Sequence, residues 1–68
     1  MTLNINQQTR FFEDPPQNVA ALVALEMQGK TKGIAVAINQ QVIPKDRWAD
    51  IPLREQDQIL IISATQGG

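Results

Sequence analysis

The chemistry this sequence permits is concentrated at its last residues, Thr65-Gln66-Gly67-Gly68. A terminal carboxylate is ionised at neutral pH and is by itself a poor acyl donor. Inside a partner's active site it can instead attack the α-phosphorus of ATP, giving an acyl-adenylate whose leaving group a sulfur nucleophile can displace. The product would be a thiocarboxylate at Gly68, a sulfur store tethered to a folded handle. Without Cβ atoms, Gly67 and Gly68 can thread a narrow channel and adopt backbone angles closed to other residues. Extended, Thr65 to Gly68 span about 13 to 14 Å, so the carboxylate can enter a neighbour's pocket while the body stays outside. The structural alternative for the same residues is a frayed or appended terminus.

Other chemistry is largely absent. With no cysteine and no histidine, the chain has no disulfide, no thiolate nucleophile, no sulfur-bound zinc and neither the usual general base nor the commonest metal ligand. Asp, Glu and Lys are present, but no spacing marks a site, so the expectation is a non-enzyme with no metal and no bound cofactor. Six Lys+Arg against seven Asp+Glu give a formal net charge of -1, and no basic block is available to neutralise a nucleic-acid backbone.

At 68 residues the chain can form one domain, burying about 60% of the surface it exposes when unfolded. A hydrophobic fraction of 43% with 19% charged residues is that of a soluble globular chain. The apolar runs Val19 to Leu25 and Ile59 to Ile62 fall far short of the roughly 20 residues that cross a bilayer. Met1 to Asn6 lacks the positive start and apolar stretch of a secretory signal, so a cytoplasmic location is expected.

The elements that must carry the tail follow from periodicity. Leu3 and Ile5 alternate with polar neighbours as in a half-buried strand, Asn6-Gln7-Gln8 turns the chain, and a second strand is expected over Thr9 to Glu13. Phe11 and Phe12 then point to opposite faces, one into the core and one outward. Asp14-Pro15-Pro16 holds the backbone extended, so the helix starts later, with Asn18 as its N-cap. Val19, Leu22, Val23 and Met27 form its apolar stripe, Leu25 widens it, and Gly29 ends it, followed by solvated Lys30 and Lys32. Ile34, Val36 and Ile38 define a third strand. Asn39-Gln40-Gln41 turns into a brief extended segment at Val42-Ile43 that Pro44 terminates. Lys45 to Trp48 has the look of a helical turn, with the indole closing one end of the core. The run Gln58 to Ala64 is read as a central strand covered on both faces. The order of elements fits an α+β sheet with a helix on one face, and no repeat or second domain is visible.

This order, the segment Ala37-Ile38-Asn39-Gln40-Gln41-Val42-Ile43-Pro44 with Trp48 four residues later, the Asp57-Gln58-Ile59 start of the last strand and the Gly67-Gly68 end resemble the ThiS family, the sulfur carriers of thiamine biosynthesis, over essentially the whole chain. The resemblance implies a ubiquitin-like β-grasp fold over residues 1–68: a mixed sheet of four to five strands packed on one helix, with the first and last strands parallel at its centre and a flexible tail at 65–68. It also implies partners. A ThiF-like adenylyltransferase would use ATP to activate Gly68, a cysteine desulfurase would supply sulfur indirectly, and a ThiG-like thiazole synthase would receive it. Gly67, Gln66 and Thr65 would thread the partner's site. Where related carriers commonly read Asp-Gly-Asp before the last strand, this chain has Glu55-Gln56-Asp57. Either Gln56 takes a positive φ at roughly 1 to 2 kcal/mol or the turn differs.

Several rival readings share parts of this pattern. The small subunit of molybdopterin synthase has the same fold, tail and chemistry, but its approach to the tail is often aromatic and proline-rich, unlike Ile61 to Gln66. A carrier serving cysteine synthesis and a modifier joined to protein lysines share the β-grasp frame. A non-catalytic module that binds through its sheet is a different class, and one extra residue after Gly68 would disable a carrier but not such a module.

Overall fold

The computed structural model describes residues 1–30 and 32–63. Within them the chain forms β1 (Thr2–Ile5), β2 (Gln8–Phe11), α1 (Val19–Glu26), β3 (Ile34–Ile38), β4 (Gln41–Ile43), a 3₁₀ helix at Lys45–Asp50, and β5 (Gln58–Ser63). The strands make one five-stranded mixed sheet in the order β2-β1-β5-β3-β4. β1 and β5 run parallel, while the β1–β2, β3–β4 and β3–β5 pairs are antiparallel. A last described strand at the centre of the sheet, with a helix linking two hairpins, is the expected β-grasp arrangement. The Gly67-Gly68 tail and its expected flexibility lie outside the described residues.

Both hairpins turn through two residues of positive φ, Asn6-Gln7 (53° and 67°) and Asn39-Gln40 (50° and 73°). That is the type I′ geometry whose twist matches the flanking strands. The first turn pairs Ile5 with Gln8, so β2 begins earlier than expected and ends at Phe11 rather than Glu13. Phe11, 72% exposed, points away from the core, and Phe12, just past the strand, packs partly buried against it. The Arg10 guanidinium lies 5.2 Å from the Phe12 ring centroid and donates to Glu26 Oε1 at 2.8 Å, tying β2 to the end of the helix. That hydrogen bond and the Glu26 charge raise the already high Arg10 pKa.

Asn18 caps α1 as expected: its Oδ1 accepts the Ala21 N–H at 2.8 Å, and its extended backbone (φ -154°, ψ 179°) sets off the first turn. The Val19 N–H, otherwise an orphan of the first turn, donates to the Ile51 carbonyl at 3.0 Å. The helix ends one residue sooner than Gly29 suggested. Gln28 already adopts φ 56°, and the Gly29 N–H closes back onto the Ala24 carbonyl at 2.8 Å, which is the Schellman closure.

Val19, Leu22 and Val23 from α1 meet Leu3, Ile5, Val36, Ile38, Ile59 and Ile61 from the sheet, with Leu53 and Trp48 closing the margins. Trp48 is a core residue, as expected, and its Nε1 donates to the Ile43 carbonyl at 3.0 Å, satisfying the one polar atom that burial would strand. The helical turn it belongs to runs on through Asp50 as a 3₁₀ helix. Leu25 does not widen the buried stripe and is 55% exposed. It lies roughly 100° around the helix axis from the centre of that stripe. A second correction concerns β5, which is covered on one face only. Ile59 and Ile61 are buried under the helix, whereas Leu60 and Ile62 are 43% and 49% exposed, because the only α-helix among the described residues packs on the other side.

Truncation should separate the two helix faces. Leu22→Ala, which empties a fully buried site, is expected to lower unfolding free energy by about 3 kcal/mol, while Leu25→Ala changes it by less than about 0.5 kcal/mol. Urea titration with unchanged m-values measures both, and equal losses would refute the assignment of faces.

Candidate functional site

The expected reactive residues, Gly68 with Gly67, Gln66 and Thr65, lie outside the described residues. The structure does describe the strand that carries them. β5 reaches Ser63 as the middle strand of five, so the five residues that follow can extend at most about 17 Å from the sheet. The chemistry of the tail therefore depends on how β5 is held and on the surface beside it.

Two asparagines hold β5 from opposite sides. On the β1 side, the Asn6 N–H donates to the Ile59 carbonyl and Asn6 Oδ1 accepts the Ile61 N–H, both at 2.8 Å. On the β3 side, the Asn39 N–H donates to the Gln58 carbonyl at 2.8 Å and Asn39 Oδ1 accepts the Gln58 N–H at 3.0 Å. Each asparagine sits at the first position of a type I′ turn, where a short amide side chain tolerates positive φ. The same four residues produce both clamps: Ile5-Asn6-Gln7-Gln8 recurs as Ile38-Asn39-Gln40-Gln41. At this length the chain does repeat, and that was the available signal for a clamp that periodicity alone misses.

Asp57 completes the support below β5. Its Oδ1 accepts from Asn39 Nδ2 at 3.1 Å and its Oδ2 from the Arg54 N–H at 2.8 Å, so this buried carboxylate has partners on both oxygens. The turn preceding it places Gln56 at φ 69°, with the Gln56 N–H bonded to the Thr2 carbonyl at 2.6 Å. The positive-φ alternative for Glu55-Gln56-Asp57 is thus the one adopted, with glutamine where related carriers commonly use glycine. The backbone cost at such a residue is about 1 to 2 kcal/mol.

The sheet face opposite the helix is the exposed flank of β5. Paired residues share a face, so the registers place Leu60 beside Ala37, Ala37 beside Val42, and Ile62 beside Ala35. Val42 is 71% exposed, and with Leu60 and Ile62 it makes an apolar patch across β4, β3 and β5. Thr2, Asn4, Thr9 and Gln58 supply the polar outward positions of β1, β2 and β5, and Phe11 stands at the far edge. No Asp, Glu, Lys or Arg occupies an outward strand position among the described residues, although 19% of the chain is charged. Arg10 pairs with Leu3 and so belongs to the helix side. Among the described residues there is no cluster of three or more His, Cys, Asp or Glu side chains, and no helix is long and apolar enough to cross a membrane.

Comparison with known proteins agrees with this geometry. The family model for the ThiS family matches residues 3–68. The sulfur carrier protein ThiS of Escherichia coli (strain K12) is 37% identical over 43 residues, a stretch covering 63% of this chain and 65% of that protein. A crystal structure of the thiamine biosynthesis protein ThiS from Geobacter metallireducens superposes with a TM-score of 0.84 over the full length of both chains at 17% identity, a likeness of fold.

Removing a clamp should be felt at β5. Asn39→Ala removes the side-chain acceptor of the Gln58 N–H and one of the two hydrogen-bond donors to the buried Asp57 carboxylate, and is expected to cost about 1 kcal/mol of stability. It should also speed hydrogen exchange at the Gln58 amide. Ile62→Thr, on the open face, should change stability by less than about 0.5 kcal/mol. If calorimetric melting and amide exchange were unmoved by Asn39→Ala, the clamp would not be holding the strand.

Proposed function

The chain belongs to the ThiS family, and from that premise we propose that it is a sulfur carrier whose Gly68 carboxylate is adenylated by a partner enzyme and converted to a thiocarboxylate for thiazole formation in thiamine biosynthesis. The observation that carries this reading is the family match, which runs through Gly67 and Gly68. The position of β5 supports it, since the last described strand lies in the middle of the sheet and ends at Ser63, five residues before Gly68 in the sequence.

The proposed sequence balances in two steps. A Gly68 carboxylate oxygen attacks the α-phosphorus of ATP and expels pyrophosphate, leaving an acyl-adenylate. Hydrosulfide, or its equivalent delivered as a persulfide and released by a thiol, then attacks the acyl carbon and expels AMP, leaving a terminal thiocarboxylate. The carrier contributes no acid, base or metal, consistent with a chain lacking both histidine and cysteine. The partner supplies the phosphoryl chemistry, and this chain supplies a nucleophile tethered within about 17 Å of the end of β5. We assign the docking face to the outward side of β3, β4 and β5, where Val42, Leu60 and Ile62 are exposed on and alongside the strand that precedes the tail. A ThiF-like adenylyltransferase is the activating partner in this reading, a cysteine desulfurase the indirect sulfur source, and a ThiG-like thiazole synthase the acceptor.

Intact mass spectrometry after incubation with the adenylating enzyme, ATP and a sulfur source tests the reading. The carrier should gain the mass of one oxygen-to-sulfur exchange, confined to the C-terminal peptide. Gly67→Val should suppress that product by about tenfold or more while melting at the parent's temperature, because its Cβ branches obstruct a channel and not the core. Normal adenylation of Gly67→Val, or transfer of sulfur to a pterin enzyme in preference to thiazole synthase, would count against it.

A further inference from the structure

The two edges of β5 are paired unequally. Against β3 the pairing runs from Ile38 with Ile59 to Ile34 with Ser63. Against β1 it stops at Ile5 with Ile59, because the chain turns away at Asn6-Gln7. Residues 60–63 therefore have a strand on one edge only. Among the described residues, the one hydrogen bond to the other edge beyond Ile59 comes from Asn6, whose Oδ1 accepts the Ile61 N–H at 2.8 Å. In a parallel ladder, a residue that donates to one position of its neighbour accepts, through its carbonyl, from the position two further on. Asn6 donates its N–H to the Ile59 carbonyl, so its own carbonyl would be the acceptor for Ile61. At φ 53° that carbonyl makes no such bond, and the side-chain oxygen takes its place.

The two asparagine clamps are alike in chemistry and differ in place. Asn39 meets Gln58 at the foot of β5, and its amide nitrogen is engaged by Asp57. That end of the strand is also fixed by the Asn4 N–H, which donates to the Asp57 carbonyl at 2.9 Å. Asn6 instead meets Ile61, two residues before β5 ends at Ser63, after which five residues remain to Gly68. Without Asn6 the end of β5 is retained by the β3 ladder alone. The last pairs of that ladder, Ala35 with Ile62 and Ile34 with Ser63, lie at its terminus, where opening costs least. Releasing Ile61 to Ser63 lengthens the tether between body and carboxylate from five residues to eight. On the inverse three-halves power of tether length, the concentration of the carboxylate in a docked partner's pocket then falls by about twofold. Loss of a fixed starting direction adds to that dilution.

We propose that Asn6 is a positioning residue for the reaction at Gly68: its side-chain oxygen continues the β1 edge by one bond and so sets the point and direction from which β5 presents the tail. The role rests on the sulfur-carrier reading for the reaction, whereas the bond to Ile61 does not. Asn6 acts through the β5 backbone and touches no reacting atom. Two properties of its side chain matter, an acceptor oxygen close to the backbone and tolerance of positive φ. Aspartate has both. Glycine has only the second, and it suits the first position of a type I′ turn. The shape of the turn and the grip on Ile61 can therefore be separated by substitution.

Amide hydrogen exchange and steady-state adenylation test it together. In Asn6→Gly the Ile61 amide should exchange about fivefold or more faster than in the parent. The kcat of adenylation should fall by about three- to tenfold, while the calorimetric Kd for the adenylating enzyme stays within about twofold of the parent's. Asn6→Asp should restore protection at Ile61 and return kcat to within about twofold. Asn39→Ala, whose loss falls at the foot of β5, should keep the parent's kcat when assayed well below its melting temperature, which separates aiming of the tail from stability in general. A parental kcat in Asn6→Gly, a loss expressed in Kd alone, a kcat loss that Asn39→Ala shares, or one that Asn6→Asp leaves in place would each overturn the positioning role. A parent protein protected at Ile61 that the enzyme does not adenylate would overturn the carrier reading, and the role of Asn6 with it.

Discussion

The central constraint in this structure is that β5, the middle strand, must be gripped along its length. It is paired in parallel with β1 on one side and in antiparallel fashion with β3 on the other. Asn6 and Asn39 extend that grip beyond the strand ladders by bonding the β5 backbone through side-chain oxygens as well as their own N–H groups. Such bonds each contribute about 1 kcal/mol net, but an unpaired N–H at the middle of a small sheet would cost more than that. A strand held this way transmits little movement to the core when its continuation is pulled or bound.

One helix covers one face, and the other face follows from that economy. In 68 residues there is chain enough for a single layer over the sheet, so the outward side chains must be compatible with water or be covered by another protein. The alternation along β5 shows the outcome: Ile59 and Ile61 complete the core, while Leu60 and Ile62 lie partly in solvent. Clustered exposed aliphatics with no charge among them are characteristic of a recognition surface and are a poor choice for simple solubility. The charged residues are placed in the loops, in the short helix and on the helix side of the sheet, where Arg10 and Glu26 meet.

Strain is distributed with the same asymmetry. Among the described residues, six that are not glycine have positive φ: Asn6, Gln7, Gln28, Asn39, Gln40 and Gln56. Each lies at a turn that must be tight, either reversing a hairpin, closing the helix or feeding β5. The asparagines make use of the conformation by bonding their neighbours, and Gln28 leaves the Gly29 N–H free to close on Ala24. In a small domain with no cross-link, these local costs are offset by a core in which Leu3, Leu22, Val19, Val23 and Val36 are fully buried and Trp48 and the isoleucines nearly so.

The elements were legible in the residues because they depend on neighbours in sequence. Alternation marked β1 and β3, the Asn18 cap and its apolar stripe marked the helix, and Pro44 ended β4, since each rests on spacing, φ restriction or a local hydrogen bond. Family resemblance added the strand order, which alternation alone does not contain. What only the tertiary structure decided was the fate of residues whose environment comes from afar. Leu25 and Leu60 are as apolar as Leu22, yet they stay exposed because none of the described elements packs over them, and β2 starts at Gln8 because the turn at Asn6-Gln7 sets its register. The identical tetrapeptides at Ile5 and Ile38 become a pair only when the 29 residues between them fold to place them on either side of β5. Periodicity reports which way a side chain points relative to its own backbone, and packing determines what, if anything, is there to meet it.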